Sequence, residues 1–227
     1  MMDVQTTLNT YSTLMEYIKH RHAVLVQVLT QPNTLPDWAR AEMAQLQIRG
    51  ICETFAIACL VAHGDLEGTQ TRRMLDAYQA DFIIKSLEKL HPHFYPRPST
   101  QIVHEGRVVG WKPIKHGFLT KPELLKSYRD TGDFLHAADL RSVLTGKQKQ
   151  FDGAGAMEWA SKVIALLNHH HIYLADRPGE QPFGNDPDGT PIPRRQIVVV
   201  MHDASDGRPH AHMFESFIQE SPEPEGR

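Results

Sequence analysis

The chain has 227 residues, 41% of them hydrophobic and 22% charged, with a formal net charge of −3. That suits one compact folded unit with room for an appendage. The slight acidic balance argues against broad coating of duplex nucleic acid, which calls for a positive excess.

Residues 10–30 carry Leu14, Tyr17, Ile18, Leu25, Val28 and Leu29 at helical spacing, and PNTLPDW at 32–38 breaks the pattern. Thr34 or Asp37 is the expected start of the next helix, with Pro36 near its first turn. That helix, 37–63, is apolar nearly all round in its second half, IRGICETFAIACLVAH, which predicts a central position under several neighbours. Residues 70–90 read as one amphipathic helix facing inward through Leu75, Tyr78, Phe82, Ile83, Leu87 and Leu90. The prolines of HPHFYPRPST at 91–100 stop it.

QIVHEGRVVGWKPI at 101–114 predicts a β-hairpin inserted between helices. Residues 120–137 return to helix, with Thr120 as cap, Pro122 in the first turn and Glu123 completing a capping box. GKQKQFDGAGA at 146–156 is a loop, and 156–169 is another amphipathic helix. A Pro- and Gly-rich loop at 177–194 leads into a second hairpin at 195–217, turning at Ser205-Asp206-Gly207. The expected fold is mainly α: a bundle of about five helices with an inserted β-hairpin and a C-terminal β-hairpin. Its parts are a bundle at 1–176 with the insertion at 101–114, a loop and hairpin at 177–217 packed on it, and a disordered tail at 218–227.

Cys52 and Cys59 lie seven residues apart on one helix, about 10.5 Å along the axis and out of disulfide range. They read as buried thiols in a reducing compartment, and with no signal peptide or membrane-length apolar run the expected location is cytoplasmic. Nine of the fourteen histidines fall in HRH at 20–22, HPH at 91–93, HHH at 169–171 and HAH at 210–212. HHH and HPH read as helix ends, where an imidazolium meets the negative end of the dipole. His202, His210 and His212 on the second hairpin are weak candidates for a metal; no cofactor is expected. Asn185-Asp186-Pro187-Asp188-Gly189 reads as a turn.

KSYRDTGDFLHAADLR at 126–141 concentrates reactive groups. Arg129 and His136 are two helical turns apart, so a continuous helix places them on one face. Arginine offers a planar fork for a phosphate, and histidine moves protons near neutral pH. Asp130 can hold either group in place, Tyr128 lies beside them, and Gly132 allows a close approach to the backbone. Arg49 and Glu53, four apart on the central helix, form either a structural ion pair or a support for the 120–137 helix.

Arg129, Asp130 and His136, late in a helical bundle, together with IRGICET around Arg49 and Glu53, resemble the HEPN superfamily over roughly residues 10–170. Many members of that superfamily are dimeric, metal-independent RNases of toxin–antitoxin or antiphage systems, and others are binding modules. The resemblance implies that His136 transfers the proton, Arg129 holds the phosphate, and Asp130, Tyr128, Glu53 and Arg49 support them. It also implies RNA or a nucleotide as ligand, a homodimer, and no role at a membrane. A catalytically silent scaffold that docks a partner protein through its hairpins is the alternative.

Overall fold

The computed structural model describes residues 3–31, 35–105, 107–136, 144, 150–177, 179–186, 188–203 and 205–215. The expected tail at 218–227, the cap candidate Thr34 and part of the loop at 146–156 lie outside them.

Helix α1 (Val4–Thr30) starts at Asp3, whose carboxylate accepts the Thr6 amide at 3.0 Å. Its buried residues Leu8, Tyr11, Met15, Ile18, Leu25 and Val28 recur every three or four positions. His22 continues that stripe and donates Nε2–H to the Ala160 carbonyl at 3.0 Å. Tyr17, expected inward beside Ile18, is 57% exposed. Helix α2 (Asp37–Ala62) is central as expected, covered by α1, by α4 (Ala80–Leu90) and by α5 (Lys121–Leu135). Cys52 and Cys59 are buried and free.

The stretch 70–90 is not one helix. A single turn, α3 (Arg72–Leu75), is capped by Thr71, and the chain breaks before α4. Leu75 and Tyr78 are 64% and 61% exposed rather than inward.

The larger correction is to the fold class. The chain is a mixed α/β fold, not a mainly α bundle. A five-stranded antiparallel sheet runs in the order β2-β1-β3-β6-β7. Its strands are β1 (Arg97–His104), β2 (Arg107–Pro113), β3 (His169–Tyr173), β6 (Arg195–Val200) and β7 (His210–Glu215). Both expected hairpins exist, as β1–β2 and β6–β7, but they are not separate decorations. The triple histidine joins them into one sheet, because it is not a helix end. Helix α6 (Gly153–Leu167) stops at Asn168, and His169–Tyr173 form a central strand whose five residues are all buried. A two-stranded ribbon, β4 (Gly184–Asn185) and β5 (Pro191–Ile192), lies within the long loop.

Register assigns the two faces, since directly paired residues point the same way. His170, Ile172, Ile197, Val199, Ala211 and Met213 alternate onto the inner face and join the core under the helices. On the outer face, one row runs through Arg97, His171, Val198 and His212, and the next through His169, Val200 and His210.

The two layers are tied by a polar contact inside an apolar core. His170 is fully buried, and its Nδ1 faces the Leu167 carbonyl at 2.9 Å. A carbonyl only accepts, so Nδ1 carries the proton and Nε2 is left to accept from Tyr11 Oη at 2.9 Å. Burial holds this imidazole neutral, its pKa pushed down to about 3. Tyr11→Phe leaves that buried nitrogen without a donor. The expected loss is about 1–3 kcal/mol, read from urea unfolding; an unchanged midpoint would show that the contact is not needed.

Candidate ligand site on the outer face of the sheet

Helix α5 begins as the sequence predicts. The Thr120 side chain accepts the Glu123 amide, and the Glu123 carboxylate accepts the Thr120 amide at 2.9 Å. The Thr120 hydroxyl also donates to the Glu123 carboxylate at 2.7 Å, as does Lys162 at 2.9 Å, and these bonds lower the carboxyl pKa to about 2.

The helix presents Tyr128 inward. Arg49 Nη2 donates to Tyr128 Oη at 3.0 Å, and Arg49 Nε pairs with Glu53 at 3.0 Å. Tyr128 Oη lies 3.4 Å from the same Glu53 oxygen, and the guanidinium sits 4.6 Å from the tyrosine ring centre. Three of the expected residues therefore meet in one network. Gly132 serves it, because a Cβ there would stand 3.2 Å from Arg49 Nη1.

Arg129, Asp130 and His136 are placed differently. Arg129 is exposed and donates to the Leu125 carbonyl at 3.2 Å. Asp130 is exposed and pairs with Lys126 at 2.6 Å. Helix α5 ends at Leu135, and His136 is an exposed cap residue with extended backbone, φ −72° and ψ 147°. The continuous helix needed to set Arg129 and His136 on one face thus stops short of the histidine.

A different set of groups converges on the outer face of the sheet. Asp186 Oδ2 accepts from Arg97 Nε at 2.9 Å and from Tyr173 Oη at 2.8 Å. Arg97 also pairs with Asp188 and donates to Thr190 Oγ1 at 3.2 Å. The turn read from Asn185 to Gly189 is thereby anchored to the sheet. The arginine and the Thr190 amide hold the Asp188 carboxyl down at about 2.

Two cavities flank this cluster and share Arg97, Pro98, Pro113 and Asp186. The smaller, about 210 Å³, is walled by Trp111, His171, Tyr173 and Gln196. The larger, about 430 Å³, is walled by Tyr95, Ile114 and Phe118, with His93 and Lys115 on its polar side. Its volume is in the range of small-molecule sites. Lys115 is exposed and has no ion pair among the described residues.

Two histidines of this face, His169 and His171, are neutral and incompletely satisfied. His171 Nδ1 lies 3.0 Å from Gln196 Oε1, which only accepts, so Nδ1 is protonated and Nε2 is a bare lone pair. His169 Nδ1 meets Ser99 Oγ at 2.7 Å. Both Nε2 atoms are buried without a hydrogen-bond partner among the described residues. Burial lowers the pKa of His171, and burial with the nearby His171 takes His169 to about 4. Trp111, 37% exposed, stacks over His169 with centroids 6.4 Å apart and meets His171 edge-on at 5.1 Å. None of these groups was among the expected site residues. The available signal was HHH itself, had it been read as a strand with two imidazoles on one face.

The expected imidazolium at the other helix end, HPH, is also corrected. His91 caps α4 and donates Nε2–H to the Tyr173 carbonyl at 2.8 Å, and burial lowers its pKa. Fully buried His63 has Nδ1 2.8 Å from the Cys59 carbonyl and Nε2 3.2 Å from that of Tyr173. Its pKa is pushed down to about 4, so its single proton serves the nearer Cys59 oxygen and leaves Tyr173 to His91.

The weak metal candidates do not come together as a trio. His202 faces Lys19, with Nδ1 3.4 Å from Nζ, and His212 stacks on His210 with centroids 6.3 Å apart. His210 instead sits with Asp203 and Asp206, the three ligand atoms within 4.8 Å of one another. Both carboxylates already accept hydrogen bonds of their own turn.

No family model matches the chain, and no curated protein or solved structure matches it significantly.

The neutral histidines have a consequence for stability. In the unfolded chain they titrate near 6.5; folded, His63 and His170 titrate near 4 and 3. Their contribution is complete above about pH 6.5 and is lost as pH falls below it, because only the unfolded chain then takes up the protons. Each of these two buried rings contributes a slope of roughly 1.4 kcal/mol per pH unit in that window. Urea unfolding at pH 7.5, 6.0 and 5.0 is expected to show stability falling toward acid. A flat profile would contradict neutral burial.

Proposed function

We propose that this chain binds a nucleotide, free or as a unit of single-stranded RNA, in the paired cavities on the outer face of the sheet. The observation that carries this reading is the make-up of the groove. One end has the partly exposed Trp111 indole and the His171 imidazole, and the other has Lys115, a cation with no ion pair among the described residues. Flat rings stack on aromatic side chains, and phosphates seek unpaired cations, so a nucleotide matches both ends. Arg97 is not the phosphate fork, because its three nitrogens are occupied by Asp186, Asp188 and Thr190.

This keeps the ligand class that the HEPN resemblance implies and moves the site from α5 to the sheet. A second reading keeps the site at α5. It is favoured by the exposure of both Arg129, on the helix that brings Tyr128 to Arg49 and Glu53, and His136, at that helix's C-terminal cap. There, His136 would take the ribose hydroxyl proton and Arg129 would hold the phosphate, with no metal.

Fluorescence anisotropy with a labelled single-stranded RNA pentamer, competed by mononucleotides, separates the two. Lys115→Ala is expected to weaken binding and to reduce the salt slope by about one. Arg129→Ala and His136→Ala are expected to leave binding unchanged. Competition by mononucleotides marks a free nucleotide as sufficient, and its failure marks RNA as the ligand. Loss of binding, or of RNA cleavage in EDTA, in the two α5 variants alone would give the site to α5.

A further inference from the structure

The smaller cavity carries a more specific arrangement than a general nucleotide groove requires. Asp186 is the acceptor at its floor. Its Oδ2 is saturated by Arg97 at 2.9 Å and Tyr173 at 2.8 Å, which fix the plane of the carboxylate. Its Oδ1 has no partner among the described residues. The side chain is only 11% exposed, so the opening of the cavity is where a partner for Oδ1 can enter.

The other walls add two more fixed groups. His171 engages Gln196 Oε1, which turns the Gln196 amide so that its NH2 is the donor left over. His171 Nε2 is a buried acceptor with no partner among the described residues, and the residue is 7% exposed. A ligand that satisfies this cavity must bring hydrogen-bond donors to Asp186 and an acceptor for Gln196. It must also be flat enough to lie against Trp111.

We propose that the smaller cavity is a guanine pocket, with the base against Trp111, its N1–H and N2 amine both donating to Asp186 Oδ1, and its phosphate directed to Lys115. This rests on the nucleotide reading of the groove and deepens it. Guanine presents two adjacent donors on its Watson–Crick edge. Adenine offers one donor beside a bare nitrogen lone pair, which a carboxylate repels, and cytosine and uracil likewise alternate donor with acceptor. The guanine O6 and N7 acceptors suit the Gln196 amide. The order of the walls agrees: Asp186 lies where the two cavities join, and Lys115 lies only in the larger one.

Calorimetric titration of the full chain with GMP, IMP and AMP tests it. GMP is expected to bind at least about tenfold tighter than AMP, the scale of a lost bidentate contact. IMP, lacking the N2 amine, falls between them. Asp186→Asn is expected to erase the preference, with circular dichroism confirming the fold. Since Asp186 also holds Arg97, Trp111→Ala is the second variant. It lies on the surface, and it is expected to weaken all three nucleotides alike, because stacking is tolerant of base identity. Equal affinity for GMP and AMP, or a preference that persists in folded Asp186→Asn, overturns the guanine pocket and leaves the groove reading standing. No binding of any nucleotide or RNA pentamer overturns both.

Discussion

Everything on the outer face depends on how the triple histidine is buried. All five residues of β3 are buried, so each polar residue on it needs a partner or loses stability. His170 meets the need inward, through Tyr11 and the Leu167 carbonyl. His169 and His171 meet half of it outward, through Ser99 and Gln196, and each is left with one nitrogen unpaired among the described residues. The inner contact fixes the register of β3 against the helix layer. A shift of one residue would carry His169 and His171 inward, away from the groove, and bring His170 out.

Much of the helical layer was legible in the sequence. The Thr120–Glu123 capping box, the central position of α2 and the meeting of Arg49 with Glu53 follow from local patterns three or four residues apart. The two hairpins were legible for the same reason, since a turn and its flanking alternation are adjacent in the chain. The sheet as a whole was not. Its closure depends on Arg97 pairing with His171 and on His169 pairing with Val200. No periodicity within one segment reports such pairings. Three consecutive histidines also read as polar, whereas neutral imidazoles with partners sit in a core at little cost.

The same separation explains the candidate site. The reactive group density at 126–141 is conspicuous because its residues are neighbours in sequence. The groove is assembled from Arg97 and Ser99 on β1, Trp111 on β2, His171 and Tyr173 on β3, Gln196 on β6 and Asp186 in the loop after β4. These residues span about half the chain, and the aspartates read only as a turn until Arg97 reaches them. Gly132 is an intermediate case: its use in close approach was legible, but its neighbour, the Arg49 guanidinium, came from another helix.

The central claim is that the outer face of the sheet, rather than the end of α5, meets the ligand. Its most direct test is a nucleotide titration followed by NMR of the histidine rings and tryptophan indoles, assigned by single substitutions. The account predicts that the resonances of His171 and Trp111 shift together and saturably while those of His136 stay still. Shifts at His136 with an unmoved His171 and Trp111 would contradict it.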